Sequence, residues 1–236
     1  ARYDVAVQRQ HRWTRGDWQL LPWVLGRRHQ GSTLPALGRW KMLDNLRRSL
    51  VAPAALALIA LALGGHGLAL PTALALTLAA YTAGPLMGTL AAWVPRRWDL
   101  AGERFVVTAA LDLLRALAAG LWQLALLPQN ALRALDAVLR TAHRLARSHR
   151  QLLHWTTAEA TQAGLGTGLG ATLRRHRAGP LMALAGAAAF WVAGLQPGAL
   201  GWTLLALWAT APLVVWAANR SWAVHPLPLS AADREW

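Results

Sequence analysis

The sequence predicts an all-α membrane protein, with four transmembrane helices arranged as two hairpins and cytoplasmic amphipathic or interfacial helices between them. Residues 49–95 contain no Asp, Glu, Lys or Arg, a run of 47, and residues 178–219 form a second such run of 42. Each run is interrupted once by turn residues, Gly64-Gly65-His66-Gly67 with Pro71 in the first and Gln196-Pro197-Gly198 in the second. The remaining 147 residues carry every formal charge and most of the turn-forming polar residues. A helix rises about 1.5 Å per residue, so ~20 apolar residues cross a hydrocarbon core ~30 Å thick. Each uncharged run therefore has room for two spans and a short turn.

Composition narrows the class further. The chain has 236 residues, 55% of them hydrophobic and 14% charged, yet 24 Lys and Arg face only 10 Asp and Glu, a net charge of +14. A soluble domain carries about 25% charged residues, and a disordered basic tail is not mostly apolar. A soluble nucleic-acid binder is excluded for a related reason: its charges would have to coexist with too much apolar surface. No nucleic-acid partner is expected; the partner is a lipid bilayer. The absence of Cys rules out disulfides, thiol catalysis and Cys-based metal centres. A carrier is disfavoured because the spans hold no ionisable side chain and His66 falls in a turn.

Residues 1–27 carry the densest motif, and residues 28–48 form a basic juxtamembrane segment. The first hairpin occupies 49–95, with spans at about 49–63 and 71–94. The second occupies 178–219, with spans at about 180–195 and 201–218. Residues 220–236 form a Pro-containing linker, in which Ser230-Ala-Ala-Asp233 has the signature of a helix start. That start, together with the non-Met first residue, suggests a piece of a longer protein. Ten Lys and Arg lie in 1–48, twelve in 96–177 and two in 220–236. By the positive-inside rule all three segments and both ends are cytoplasmic, and the short turns face outward. Trp40, Trp93, Trp98, Trp202, Trp216 and Trp222 lie near span ends, where an amphipathic indole is favoured.

Between the hairpins, Leu114, Leu117, Leu121 and Leu124 recur at helical spacing, but Asp112, Arg115 and Pro128 leave a stretch too short to cross. An interfacial or protein-packed helix is predicted there. A second amphipathic helix follows from Asn130. Its apolar face is Leu132, Leu135, Leu139 and Ala142, its basic face is Arg133, Arg140, Arg144 and Arg147, and Asp136 is spaced to pair with Arg140. Such a helix suits anionic lipid and a solvated bundle face equally. Gly164, Gly166, Gly168 and Gly170 read as a linker, since no GK[ST] follows and no strand precedes.

The N-terminal motif places Arg12, Trp13, Arg15, Gly16, Asp17, Trp18 and Gln19 within eight positions. Guanidinium groups bind diphosphates bidentately. A Trp face can stack on a pyranose ring, Gly permits close backbone approach, and an Asp beside arginines stays ionised and orients them. A juxtamembrane basic-aromatic belt would use the same residue types.

The Arg12-Trp13 pair ahead of the first span resembles the QxxRW motif of processive membrane glycosyltransferases such as the cellulose synthases. The longer string RYDVAVQRQHRWTRGDWQLLPWVL is more similar to the cyclic β-1,2-glucan synthases, as are residues 37–54 (LGRWKMLDNLRRSLVAPA), 136–160 (DAVLRTAHRLARSHRQLLHWTTAEA) and the late hairpin. The position three before Arg12 is Arg9 rather than Gln, so that family contact does not carry over.

The resemblance implies a glucosyltransferase that uses UDP-glucose to extend and cyclise a β-1,2-glucan at the bacterial inner membrane. It implies Arg12 and Arg15 on the nucleotide diphosphate, Trp13 on the acceptor glucan, and Gly16, Asp17, Trp18 and Gln19 in support. The catalytic base and the ligands of a divalent metal (Mg or Mn) are expected upstream, so this stretch alone is expected to be inactive; Asp17 is the alternative base within it. A non-catalytic membrane anchor or scaffold, or another cellulose-synthase-like polysaccharide synthase, is the competing reading.

Overall fold

A computed structural model of the chain describes residues 3–26, 34–92, 102–148, 157, 160, 163–166 and 168–220. The regular elements among them are all helical: α1 Tyr3–Gln19, α2 Leu21–Val24, α3 Ala36–Leu63, α4 Leu70–Ala92, α5 Gly102–Ala125 and α6 Leu127–His143, which runs into a π-helical turn at Arg144–Ser148. They continue with α7 Leu169–Arg175, α8 Ala178–Ala193 and α9 Gly198–Ala218. The helix start at Ser230, the aromatic residues Trp93, Trp98 and Trp222, and the basic pair Arg96 and Arg97 lie outside the described residues.

Both turns fall where the glycines and prolines predict them. After α3, His66 N donates to Leu61 O at 2.9 Å and Gly65 N to Ala62 O at 3.2 Å, with Gly65 at φ +74°. After α8, Leu195 N donates to Phe190 O at 3.0 Å and Gly194 N to Trp191 O at 3.3 Å, with Gly194 at φ +65°. These are two Schellman endings, in which a left-handed glycine satisfies the last carbonyls of the helix. In each case the two helices flanking the turn are in contact.

Four helices are long and apolar enough to cross a membrane: Ala36–Leu63, Leu70–Gly88, Val106–Ala125 and Gly198–Ala218. Three correspond to the spans predicted at 49–63, 71–94 and 201–218. The fourth lies in α5, where an interfacial or protein-packed helix is predicted, and the span predicted at 180–195 is the shorter apolar helix α8. Asp112 and Arg115 do not break α5; Arg115 Nη1 meets Asp112 Oδ1 at 2.8 Å one turn away, so the two charges offset each other. α5 ends at Ala125, three residues before Pro128. α8 has 16 residues, about 24 Å at the helical rise. The basic segment before the first span joins it directly. From Ala36 it belongs to the same continuous helix as the span, with Asp44 bound by Arg47 and Arg48 on the following turn.

The core lies where α3, α4, α5, α6, α8 and α9 meet, around Ile59, Ala73, Leu124, Leu127, Ala131, Phe190, Leu204, Leu205 and Trp208. Small residues set the closest approaches. A Cβ on Gly120 of α5 would stand 2.5 Å from the Thr82 methyl of α4, and one on Gly179 of α8 would stand 2.5 Å from the Trp208 carbonyl of α9. The Thr77 and Thr82 hydroxyls return 2.8 Å bonds to Ala73 O and Leu78 O, so neither needs an outside partner.

The junction of α5 and α6 has a specific solution to a backbone problem. In a continuous helix, the N–H of residue 128 would bond to Leu124 O, but Pro128 has no N–H. The Trp208 indole N–H of α9 supplies that donor at 3.1 Å, from a buried position.

The chain itself packs against a third face of α6, not against its leucines. Leu132, Leu135 and Leu139 are uncovered by the rest of the chain, Leu139 at 66%. The buried face is instead Gln129, Ala131, Ala137 and Thr141, packed against α1 and α3. Small side chains let α6 approach those helices closely, and the larger leucines point away. The pairing of Asp136 with Arg140 is present, at 2.6 Å.

Trp208→Phe keeps an aromatic ring in a smaller volume and leaves Leu124 O buried without its indole donor. It should lower stability by about 1–3 kcal/mol, read as a lowered melting temperature in detergent. Trp191→Phe, at a position 86% uncovered, should leave the melting temperature unchanged.

Candidate functional site

Helix α1 carries the motif, and three contacts at seven-residue spacing fix its rotation. Asp4, His11 and Trp18 fall on one helix face, two turns apart. Asp4 is buried: its Oδ1 accepts from His176 Nε2 at 2.8 Å, and its Oδ2 accepts from Arg175 Nη1 at 2.7 Å and Asn219 Nδ2 at 3.2 Å. His11 Nε2 meets Asp136 Oδ2 of α6 at 2.9 Å. Trp18 Nε1 donates to Ser49 Oγ of α3 at 2.9 Å. The first N–H of α1 is satisfied from outside, by Tyr3 N donating to Asn219 Oδ1 at 2.8 Å. Asn219, which ends α9, therefore caps α1 in trans.

Burial works to raise the Asp4 carboxyl, but the hydrogen bond and charge of His176, followed by those of Arg175, hold it below its ordinary 3.8. His176 is fully buried, and both ring nitrogens face oxygens, Nε2 toward Asp4 and Nδ1 toward Gln129 Oε1 at 2.6 Å. The Tyr3 ring packs edge-on to Trp122 with centroids 5.4 Å apart, and Tyr3 Oη donates to Asn130 Oδ1 at 3.2 Å.

With one face of α1 pinned, Arg12 and Trp13 fall on its two flanks and open into different cavities. One cavity, of about 360 Å³, is lined by Trp13, Arg9, Ser49, Tyr81, Gln123 and Asn130, among others, so it combines an indole face with hydroxyl and amide groups. Trp13 is 58% uncovered, and the Arg9 guanidinium sits 5.1 Å from its ring centroid. The other cavity, of about 470 Å³, is lined by Arg12, Arg15, Arg133 and Arg175 with Asp4, Val7, Gln8 and His11. Burial, then the neighbouring Arg144 and Arg140, lower the pKa of Arg15, and Asp136 opposes them. His11 and Arg133 line both cavities.

Arg12 and Arg15 therefore share one cavity, and Trp13 faces the other. Gly16, Asp17, Trp18 and Gln19 line neither. Trp18 anchors α1 to α3. Asp17 accepts from Asn45 Nδ2 at 3.3 Å, and burial raises its pKa against that bond. Among the described residues no group of three or more His, Asp or Glu could hold a metal. The sequence reading missed Tyr3, Asp4, His11, Gln129, Asn130, Arg133, Arg175 and His176. The available signal was the polar Gln129-Asn130 pair directly after an apolar stretch and Pro128.

Over 224 residues the chain is 33% identical to the cyclic beta-(1,2)-glucan synthase NdvB of Rhizobium meliloti (strain 1021). The chain resembles a segment of a cyclic β-1,2-glucan synthase. The match covers 93% of this chain and 8% of that relative's length. No family model matches the chain. A match of that coverage takes in residues 37–54 and 136–160, two of the stretches from which the resemblance was read.

Asp4→Asn should cost on the order of 3 kcal/mol, because it leaves buried cations without their carboxylate. The pH dependence has a definite sign. Asp4 is depressed in the folded state, so its contribution is complete above the ordinary value of 3.8 and is lost as pH falls through the folded value. Acid titration of detergent-solubilised protein, followed by tryptophan fluorescence, should show a loss of stability below pH 3.8 that Asp4→Asn removes.

Proposed function

We propose that this chain is the membrane-embedded part of a glucosyltransferase that polymerises glucose from UDP-glucose into cyclic β-1,2-glucan. The observation that carries the reading is the division of the motif. Adjacent residues on one helix, Arg12 and Trp13, open into an arginine-lined cavity and an aromatic, hydroxyl-bearing cavity that share His11 and Arg133 as a wall. Transfer of a sugar from a nucleotide needs those two environments side by side, one for a leaving diphosphate and one for an acceptor chain.

In this reading Arg12 and Arg15 neutralise the negative charge that grows on the diphosphate as the glycosidic bond to UDP breaks. Trp13 stacks on the acceptor sugar, and Ser49, Gln123 and Asn130 offer hydrogen bonds to its hydroxyls. Trp18, Asp17, Gly16 and Gln19 keep the end of α1 in place. The proton of the attacking hydroxyl passes to a base outside this chain, since Asp17 lines neither cavity. A divalent metal, Mg or Mn, belongs with that base; the residues here do not assemble a site for it, and no step is routed through one.

The chain lies in the bacterial inner membrane, with its charged segments and both ends on the cytoplasmic side. The distribution of Lys and Arg supports this orientation. The name of the similar synthase supports the β-1,2-glucan product.

The test is glucan synthesis from UDP-glucose in membranes containing the complete synthase. Arg12→Ala should reduce turnover about 100-fold, as expected for removing one preorganised charge-stabilising donor. Trp13→Ala should weaken acceptor use and shorten the products. Near-normal synthesis by both variants would leave the chain as an anchor and overturn the assignment.

A further inference from the structure

The cavity between α1, α6 and α7 carries more positive charge on its walls than negative. Arg12, Arg15, Arg133 and Arg175 face one carboxylate, Asp4. That carboxylate is committed to Arg175 at 2.7 Å and His176 at 2.8 Å. His11 is turned to Asp136 at 2.9 Å. Arg133 is the residue whose placement its neighbours explain least. Its Nη1 is buried with no hydrogen-bond partner. Its Nη2 lies 3.5 Å from His176 Nδ1, a nitrogen already taken by Gln129 Oε1 at 2.6 Å, and its side chain also interacts with Tyr3. Burial lowers the pKa of Arg133, while Tyr3 and Asp4 favour its charge. A buried guanidinium with an empty N–H is unfavourable unless a ligand supplies the acceptor.

We propose that Arg133 joins Arg12 and Arg15 as the binding site for a phosphate or diphosphate group, with its free Nη1 donating to a phosphoryl oxygen. The proposal rests on the reading of Arg12 and Arg15 as diphosphate ligands and adds a residue from a different helix. A planar fork of N–H donors matches two phosphoryl oxygens, and α6 delivers it to the wall between the two cavities. An anion held there would lie against the cavity that Trp13 lines. Nucleotide diphosphates and anionic lipid headgroups share this chemistry.

The experiment uses the whole 236-residue chain in nanodiscs, with pyrophosphate titrated calorimetrically at fixed ionic strength. In neutral phosphatidylcholine discs the wild type should bind pyrophosphate saturably. Arg133→Gln should weaken binding at least tenfold, Arg133→Lys should weaken it several-fold through loss of the fork, and Arg47→Gln, outside the cavity, should not weaken it. In discs containing phosphatidylglycerol, a headgroup source would appear as suppressed pyrophosphate binding and as lipid retained by the wild type but lost from Arg133→Gln in native mass spectrometry. Undisturbed pyrophosphate binding there assigns the site to soluble diphosphates. Circular dichroism reports folding; if Arg133→Gln does not fold, Arg133→Lys carries the test. Pyrophosphate and lipid binding that are absent, or unchanged in the folded Arg133 variants, would overturn the proposal. Glucan synthesis is not the readout, so a failure of the Trp13 assignment leaves this result standing, and the reverse.

Discussion

The position of everything functional in this chain depends on one carboxylate removed from solvent. Asp4 joins the start of α1 to Arg175 and His176 after α7 and to Asn219 at the end of α9. His176 passes the connection on to Gln129 at the start of α6. A buried carboxylate is unfavourable unless it is fully paired, and pairing it requires all of these segments to be in register. The same contacts that satisfy Asp4 therefore fix the rotation of α1. His11 and Trp18 repeat the fixation at seven-residue steps. Arg12 and Trp13 then have no choice of environment, because consecutive residues on a helix diverge by about 100° and the pinned face lies beside them.

The apolar part is held by different means. Burial from lipid supplies little drive for helix association, so close van der Waals contact and interhelical hydrogen bonds must hold the bundle. Gly120 against Thr82 and Gly179 against Trp208 give that contact. The Trp208 indole goes further, since it repairs the backbone where Pro128 removes a donor. The sharp change from α5 to α6 is thus stabilised by a residue more than 80 positions away. That junction sets the register of Gln129, Asn130 and Arg133, so the polar site depends on a bond made inside the apolar core.

Much of the fold was legible because it follows from local rules. Uncharged runs identified α3, α4 and α9, and Gly64-Gly65-His66-Gly67 and Gln196-Pro197-Gly198 identified both turns, since glycine and proline interrupt helices. Two features were not legible. Asp112 and Arg115 counted as interruptions because their mutual pairing depends on the helix existing first. The side of α6 that packs on its neighbours was not marked either, because hydrophobicity ranks Leu above Ala, whereas this helix buries against the protein the side that permits close approach. For the site, the resemblance and the residue types identified Arg12, Trp13 and Arg15. The residues that complete it, Asp4, Arg133, Arg175 and His176, are brought together from positions up to 172 apart, and no spacing along the chain indicates that.

Charge also has two roles here that composition cannot separate. Of the 24 basic residues, Lys41 is the only lysine. For a charge that serves topology at a membrane face, Arg and Lys are nearly equivalent. Inside a partly buried cavity they are not. Burial penalises the ionised form, and a lysine can respond by losing its proton, whereas a guanidinium starts from a pKa so high that it stays charged. Arg133 and Arg15 both have lowered values, with burial as the largest cause, and both remain cations. Most of the positive charge can be read as marking the side of the membrane. The arginines drawn inward beside Asp4 bear an electrostatic penalty that topology does not require, and the proposed anion site is the role that would offset it.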